Sequence, residues 1–171
     1  YMTLDLFSPI YSSENVSLFP ALINMVIMTL LALLPSVPVG VFSAIFLVEY
    51  ANKDHHFLNI VRMMSETLSG IPSIVYGLFG MLFFLGFLGW GYSLLSGALT
   101  MAIMILPLIM RTTEEALKTV PDALREGSYA LGAGKLRTIV KVVLPDAVPG
   151  ILSGVILGIG RIVGETAALL Y

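Results

Sequence analysis

TLSGIPSIVYGLFGMLFFLGFLGWGYSLLSGALTMAIMILPLIM, residues 67–110, contains no charged side chain over 44 positions. A hydrocarbon core of about 30 Å takes about 20 helical residues, so this stretch holds two membrane spans. Gly86, Gly89 and Gly91, interleaved with Trp90 and Tyr92, mark the turn between them at headgroup level. One span is expected over about Leu68–Leu88 and the next over about Leu94–Met110.

The same reading extends in both directions. Asn15 to Val48 is a second uncharged run, of 34 residues, interrupted by Pro35, Pro38 and Gly40. It predicts a long, kinked membrane helix from Leu18 to about Tyr50, since proline removes a backbone donor that neighbouring protein must compensate. Phe57 to Met64 has mixed polarity at helical spacing and is expected at the interface. A last apolar segment begins near Ala147 and carries Arg161 and Glu165 inside it. The fold class is therefore all-α, a polytopic membrane protein with four visible spans.

Composition excludes the main alternatives. Of 171 residues, 57% are hydrophobic and only 12% charged, and the mean hydropathy is +0.95. Soluble domains carry about 25% charged residues, so a water-facing surface cannot be built from this chain. A net charge of −2 with nine Lys and Arg lacks the basic footprint of a nucleic-acid binder. There is no Cys, hence no disulfide and no thiolate chemistry. Residues 1–17 hold Asp5 and Glu14 but no basic residue, which gives no signal-peptide n-region and predicts an extracytoplasmic loop. The chain opens at Tyr1 and closes within apolar sequence at Tyr171, so both ends read as cuts through a longer parent.

Basic residues orient the spans. Six of the nine lie between Arg111 and Lys141, and Lys53 and Arg62 lie in the other connection expected on that side. The positive-inside rule puts both connections in the cytoplasm. Residues 111–146 form the long cytoplasmic segment, with two short helices expected across 112–145. Pro121 and Asp122 open the first, which stops at Gly132, a natural left-handed residue beyond a helix end. The second runs from Lys135 to Val143, with Leu144-Pro145 ending it. Leu124, Ser128 and Leu131 share a face of the first helix, beside Gly127. That pattern suits either entry into a partner's groove or an amphipathic loop on lipid headgroups.

Glu126-Gly127-Ser128, then Gly132, then Val142-Val143-Leu144-Pro145 resembles the EAA loop of ABC importer permeases, E-A-A-x3-G-x9-I-x-L-P, at every anchor. Gly and Ser replace the two alanines, and Val replaces Ile. Leu68-Ser69-Gly70-Ile71-Pro72-Ser73-Ile74-Val75-Tyr76-Gly77-Leu78-Phe79-Gly80 and Gly160-Arg161-Ile162-Val163-Gly164-Glu165-Thr166-Ala167 resemble the phosphate-specific members, of PstA rather than PstC type. The resemblance spans Leu18 to Tyr171. It implies a type I (MetI-like) helical bundle, with a preceding and a final helix of a six-span subunit lying outside this chain. It also implies that Glu126, Gly127, Ser128, Gly132, Leu144 and Pro145 couple to a cytoplasmic ATPase. The implied partners are that ATP-binding subunit, which holds the ATP, a PstC-type permease, an extracytoplasmic phosphate-binding protein and membrane lipid, without nucleic acid, and the implied location is the inner membrane of a prokaryotic cell. The chain itself is expected to be non-catalytic and to hold no cofactor.

Other motifs are weaker. Gly132-Ala133-Gly134-Lys135 is not a phosphate loop, because Tyr129 replaces its first Gly and Leu136 its Ser or Thr. His55-His56 lacks a placed third ligand, so no metal site is expected. Gly150, Gly154 and Gly158 line one stripe of the last span and favour close helix packing. Arg161 and Glu165, four apart, are expected to share a helix face at membrane depth, where an isolated charge is costly. They read either as a self-neutralising structural pair or as part of an anion pathway, since Arg binds phosphate oxygens bidentately. Thr166 follows them in the pathway implied by the resemblance. Arg111 is either a second pathway cation at the cytoplasmic mouth or an anchor paired with Glu114 or Glu115. The functional expectation is a permease subunit of an ATP-driven phosphate importer. Its alternatives are a permease for another oxyanion (molybdate, sulfate or phosphonate) and an intramembrane enzyme using Glu165.

Overall fold

The structure is a computed structural model and describes residues 18–50, 56–89 and 93–165. Every regular element among them is helical. Helix α1 covers Leu18–Ile45 and continues through a π-helical turn, Phe46–Tyr50. Helix α2 is His56–Ser69, and α3 is Ser73–Gly80 extended by π-helical Met81–Phe87. Helix α4 is Leu94–Thr119 and α5 is Asp122–Ala130. Helix α6 is Lys135–Thr138, joined through π-helical Ile139–Val143 to α7, Leu144–Gly164.

Helix α4 is the centre, with α1 and α7 as its main neighbours and α3 packed beside them. Met101, Met104, Ile105, Ile109 and Leu117 of α4 are fully buried. Its apolar stretch is 56% buried, against 28% in α1 and 22% in α7, so the outer helices keep broad apolar faces for lipid or further protein. Lipid tails give no hydrophobic drive to helix association, so backbone approach decides which helices meet. Small residues permit it here. A Cβ at Gly150 would lie 2.5 Å from the Ala116 Cβ, and one at Gly154 would overlap Thr112. A Cβ at Gly40 would lie 2.9 Å from Ile109, and one at Gly80 would overlap Thr100. The expected glycine stripe thus holds α7 to α4 at two of its three positions; Gly158 makes only ordinary contact with Ile109, at 3.8 Å.

Among the described residues three helices, Ala21–Tyr50, Leu94–Thr119 and Lys135–Gly164, are long and apolar enough to cross a membrane. The fourth expected span differs. It is a bent pair, Asn59–Ser69 and Ser73–Phe84, turning by 99° at Gly70-Ile71-Pro72. Proline disfavours helical dihedrals in the residue before it, which explains a break that charge counting cannot register. The helix after the break is only 15 residues long, too short to cross a core of about 30 Å upright.

Two other boundaries move. Helix α4 continues nine residues past Met110 to Thr119, so the span expected to close at Met110 runs on into the polar segment, while the first short helix opens at Asp122 behind Pro121, as the sequence predicts. Leu117 and Thr113 are fully buried, and this packing extends the helix through polar sequence. Leu144-Pro145 does not end a helix; it sits where π-helical turns pass into α7. The missing proline N–H falls at that change of register, where an α-helical bond is already lost. Helix α1 runs unbroken through Pro35 and Pro38, with Ser36 buried and its hydroxyl bonded to the Ala32 carbonyl at 2.7 Å. Residues 1–17 lie outside the described residues, as do His55 and the tip of the expected 86–93 turn. Ser93 begins α4 with a reciprocal capping box to Ser96.

Candidate functional site: a two-helix loop and a cation within the bundle

The loop between α4 and α7 is built around two devices. The first is the stop of α5. Gly132 has φ +81°, the Ala133 N–H bonds the Ser128 carbonyl at 3.1 Å, and the Gly132 N–H bonds that of Tyr129 at 2.9 Å. This is the double bond pattern of a Schellman ending, and it sets the angle at which the chain leaves for α6. Gly132 thus takes the left-handed conformation expected from the sequence.

The second device is invisible in the sequence. Arg125 Nη1 donates to the Val120 carbonyl at 2.7 Å and Nη2 to that of Leu117 at 2.9 Å. These are carbonyls of the last turn of α4, which has no intrahelical donors left for them and carries the negative end of the helix dipole. Arg125 Nε and Nη2 also donate to Glu49 Oε1 at 3.1 and 2.9 Å, and Nη1 to Asp122 Oδ1 at 3.1 Å. The guanidinium thereby ties α5 to the ends of both α4 and α1. No residue of α5 is buried, so these bonds replace an apolar core.

Among the residues expected to couple, Glu126 and Gly127 are exposed, and a Cβ at Gly127 would meet nothing within 4 Å. Ser128 faces inward instead: its Oγ lies 2.9 Å from Thr138 Oγ1, binding α5 to α6. The outward apolar side chains are Leu124, Tyr129 and Leu131, the last 91% exposed. Leu144 is half-buried and Pro145 exposed, at the foot of α7.

A charged cluster lies beside the loop, between α2 and α4. Glu114, 7% exposed, has Arg62 Nε at 2.8 Å and Lys118 Nζ at 2.7 Å from one oxygen. The Arg62 N–H is not aimed along that contact, so charge rather than a directional hydrogen bond holds it. Arg111 is exposed and pairs with Glu115 at 3.3 Å, not with Glu114. These residues, with Ser65, Glu66 and Met110, line a cavity of about 130 Å³. Its three cations face three carboxylates, which leaves no net charge. The ion pairs also bring the end of α1 and helix α2 to the same end of the bundle as the loop.

Arg161 lies in the last turn of α7 and is half-buried. Its neighbour Ile162 packs in one cluster with Met101, Met104 and Ile105, seven to eleven residues into α4. At 1.5 Å per residue that is about 10–17 Å below the start of α4, near mid-membrane. The Tyr76 phenol of α3, in the same cluster as Ile162, donates to the Leu68 carbonyl at 2.7 Å. The expected Arg161–Glu165 face is corrected. Helix α7 ends at Gly164, Glu165 is extended at φ −90°, ψ 105°, and the two form no ion pair. Gly160 and Gly164 weaken the final turns, and the Glu165 N–H closes three residues back on Ile162 at 3.2 Å. Arg161 makes no ion pair or hydrogen bond among the described residues, and Thr166 lies outside them.

The comparisons with known proteins agree with this architecture. The chain is 41% identical to the probable ABC transporter permease protein YqgI of Bacillus subtilis (strain 168), over 88% of this chain and 51% of that protein. It is 41% identical to the phosphate transport system permease protein PstA of Mycobacterium leprae (strain TN), over 89% of this chain and 49% of that protein. It is 37% identical to PstA of Yersinia pestis, over 99% of this chain and 58% of that protein. The chain thus spans about half the length of the curated relatives it matches. Residues 36–171 match the family model described as binding-protein-dependent transport system inner membrane component. A multi-pass helical bundle with an exposed two-helix loop, matched over four-fifths of its length by that model, belongs to this family of inner-membrane transport components.

Proposed function

We propose that the chain is part of a PstA-type permease subunit in an ATP-driven inorganic phosphate importer. The observation that carries this reading is α5: an exposed helix with nothing buried, clamped by Arg125 and stopped at a fixed angle by Gly132. A helix held rigid by polar bonds on one side and bare on the other is built to dock. Leu124, Tyr129 and Leu131 would enter a cleft on a cytoplasmic ATPase, with Glu126, Gly127, Ser128, Gly132, Leu144 and Pro145 shaping the loop. ATP is then bound by that partner, and a PstC-type permease covers the open apolar faces of α1 and α7. A phosphate-binding protein delivers the anion from outside. The names of the relatives support phosphate as the cargo.

Arg161 supplies the fixed cation that phosphate meets at mid-depth, beside Gly160 and Gly164, which have open space around them. Glu165 and Thr166 follow it along the pathway, and Arg111 stands at the cytoplasmic mouth. The test is uptake by the full complex in proteoliposomes. Phosphate-loaded binding protein should stimulate ATP hydrolysis, whereas sulfate or molybdate should not. Arg161→Gln should abolish uptake while the assembled complex keeps its ATPase. Normal uptake in that variant would place the conduit elsewhere, and stimulation by another oxyanion alone would replace phosphate as the cargo.

A further inference from the structure

Two consecutive residues at the end of α1 grip both helices of the coupling loop. Glu49 takes Arg125 of α5 through two N–H groups, and the side chains of the pair are only 6% and 13% exposed. Tyr50 lies beneath the Lys135 ammonium at the start of α6, with 5.0 Å from nitrogen to ring centroid. The Tyr50 ring is itself stacked on Phe46, centroids 6.4 Å apart and planes 12° from parallel. All three α1 residues belong to the π-helical turn Phe46–Tyr50, a conformation that recurs at functional sites.

The other end of this grip reaches the membrane centre. Ala21–Tyr50 is a single uninterrupted helix. Its Ala32 lies in the cluster that holds Tyr76 and Ile162, next to Arg161. Ala44 and Leu47 lie in the second cluster, with Leu117, Val120 and Val143 at the roots of the loop. The loop is covalently joined only to α4 and α7, so motion delivered to α5 and α6 reaches α1 by contact. A buried carboxylate held by one guanidinium and a cation over one ring are directional contacts that move as units.

The geometry points to Glu49 and Tyr50 as a clasp through which the coupling loop moves α1. They are positioning residues for energy coupling, and the inference rests on the transporter reading above. A static brace makes a different prediction. Losing a brace lowers the amount of complex without altering what the surviving complexes do.

The test uses the full complex with its ATPase. Hydrogen exchange of residues 40–50 is compared before and after the ATPase is trapped closed with ATP and vanadate, with no phosphate present. In the native complex, protection should change together in α5, α6 and 40–50. Glu49→Gln keeps the shape but removes the charge, and Tyr50→Leu removes the ring from a half-exposed position. Each should keep the change in α5 and α6 and lose it in 40–50. Each should also consume severalfold more ATP per phosphate imported, while Tyr50→Phe behaves as native. An unaltered response of 40–50 in both variants overturns the clasp, as does loss of both variants from the membrane, which is the brace. If only Glu49→Gln fails to assemble, Tyr50→Leu decides. A native complex that imports no phosphate overturns the transport reading alone, since the exchange measurement needs none.

Discussion

Helices α4 and α5 are separated by two residues and held by opposite chemistries. Around α4, glycines of α1, α3 and α7 bring backbones into contact, and the side chains between them are methionine, isoleucine and alanine. In α5 no residue is buried, and polar bonds hold it, five of them from one arginine. The difference follows from the solvent. Lipid rewards close packing because it gives no hydrophobic drive, whereas a loop that docks on a partner, as proposed above, cannot also bury the apolar face it docks with. A polar clamp leaves that face free.

The comparison breaks most easily at the glycines. Gly154→Val should remove most assembled protein from the membrane, because the side chain overlaps Thr112 on a rigid helix, and overpacking of this kind costs about 1–3 kcal/mol or more. Quantified membrane protein checks this, and Thr112→Ala should partly rescue it. The clamp is next. Arg125→Ala leaves Glu49 and two α4 carbonyls without their donor, and breaking a buried charge pair typically costs about 3–5 kcal/mol. That loss should be confined to the loop, so hydrogen exchange should rise across 122–138 while residues 100–110 stay protected. Exchange rising equally in both would mean that loop and bundle share one cooperative unit.

Smaller effects separate geometry from surface. Gly132→Ala forces a Cβ into left-handed dihedrals at a cost of about 1–2 kcal/mol. It should loosen ATPase binding measurably, read as retention of the ATPase on washed membranes. Gly127→Ala should act in the other direction. The position is open and helical, so alanine should stabilise α5 by up to about 1 kcal/mol with no loss of ATPase retention. A drop in retention would show that the partner approaches the backbone at Gly127 too closely for a methyl group.

Several of these features are legible in the amino-acid order alone. Two uncharged runs and a last apolar segment locate three full-length helices, and basic residues put both connections on one side. Gly132 announces its own conformation, because few residues other than glycine tolerate positive φ. The Arg161–Glu165 face departs from expectation for a local reason: four-residue spacing implies a shared face only where the helix continues, and α7 ends between them. The span at 68–88 departs from it because hydropathy is indifferent to a 99° bend.

What the sequence determined by itself is what depends on short range: solvent class, helix register, the left-handed stop at Gly132 and the charge asymmetry across the membrane. Tertiary structure alone decided the partners. Arg125 meets Glu49 across 76 positions, Glu114 gathers Arg62 of another helix, and Gly154 finds Thr112. Periodicity states which side of a helix is apolar or small, but it carries no term for which distant helix will fill that side. That choice is made by the fit of whole surfaces and by the low-dielectric penalty on any charge left unpaired.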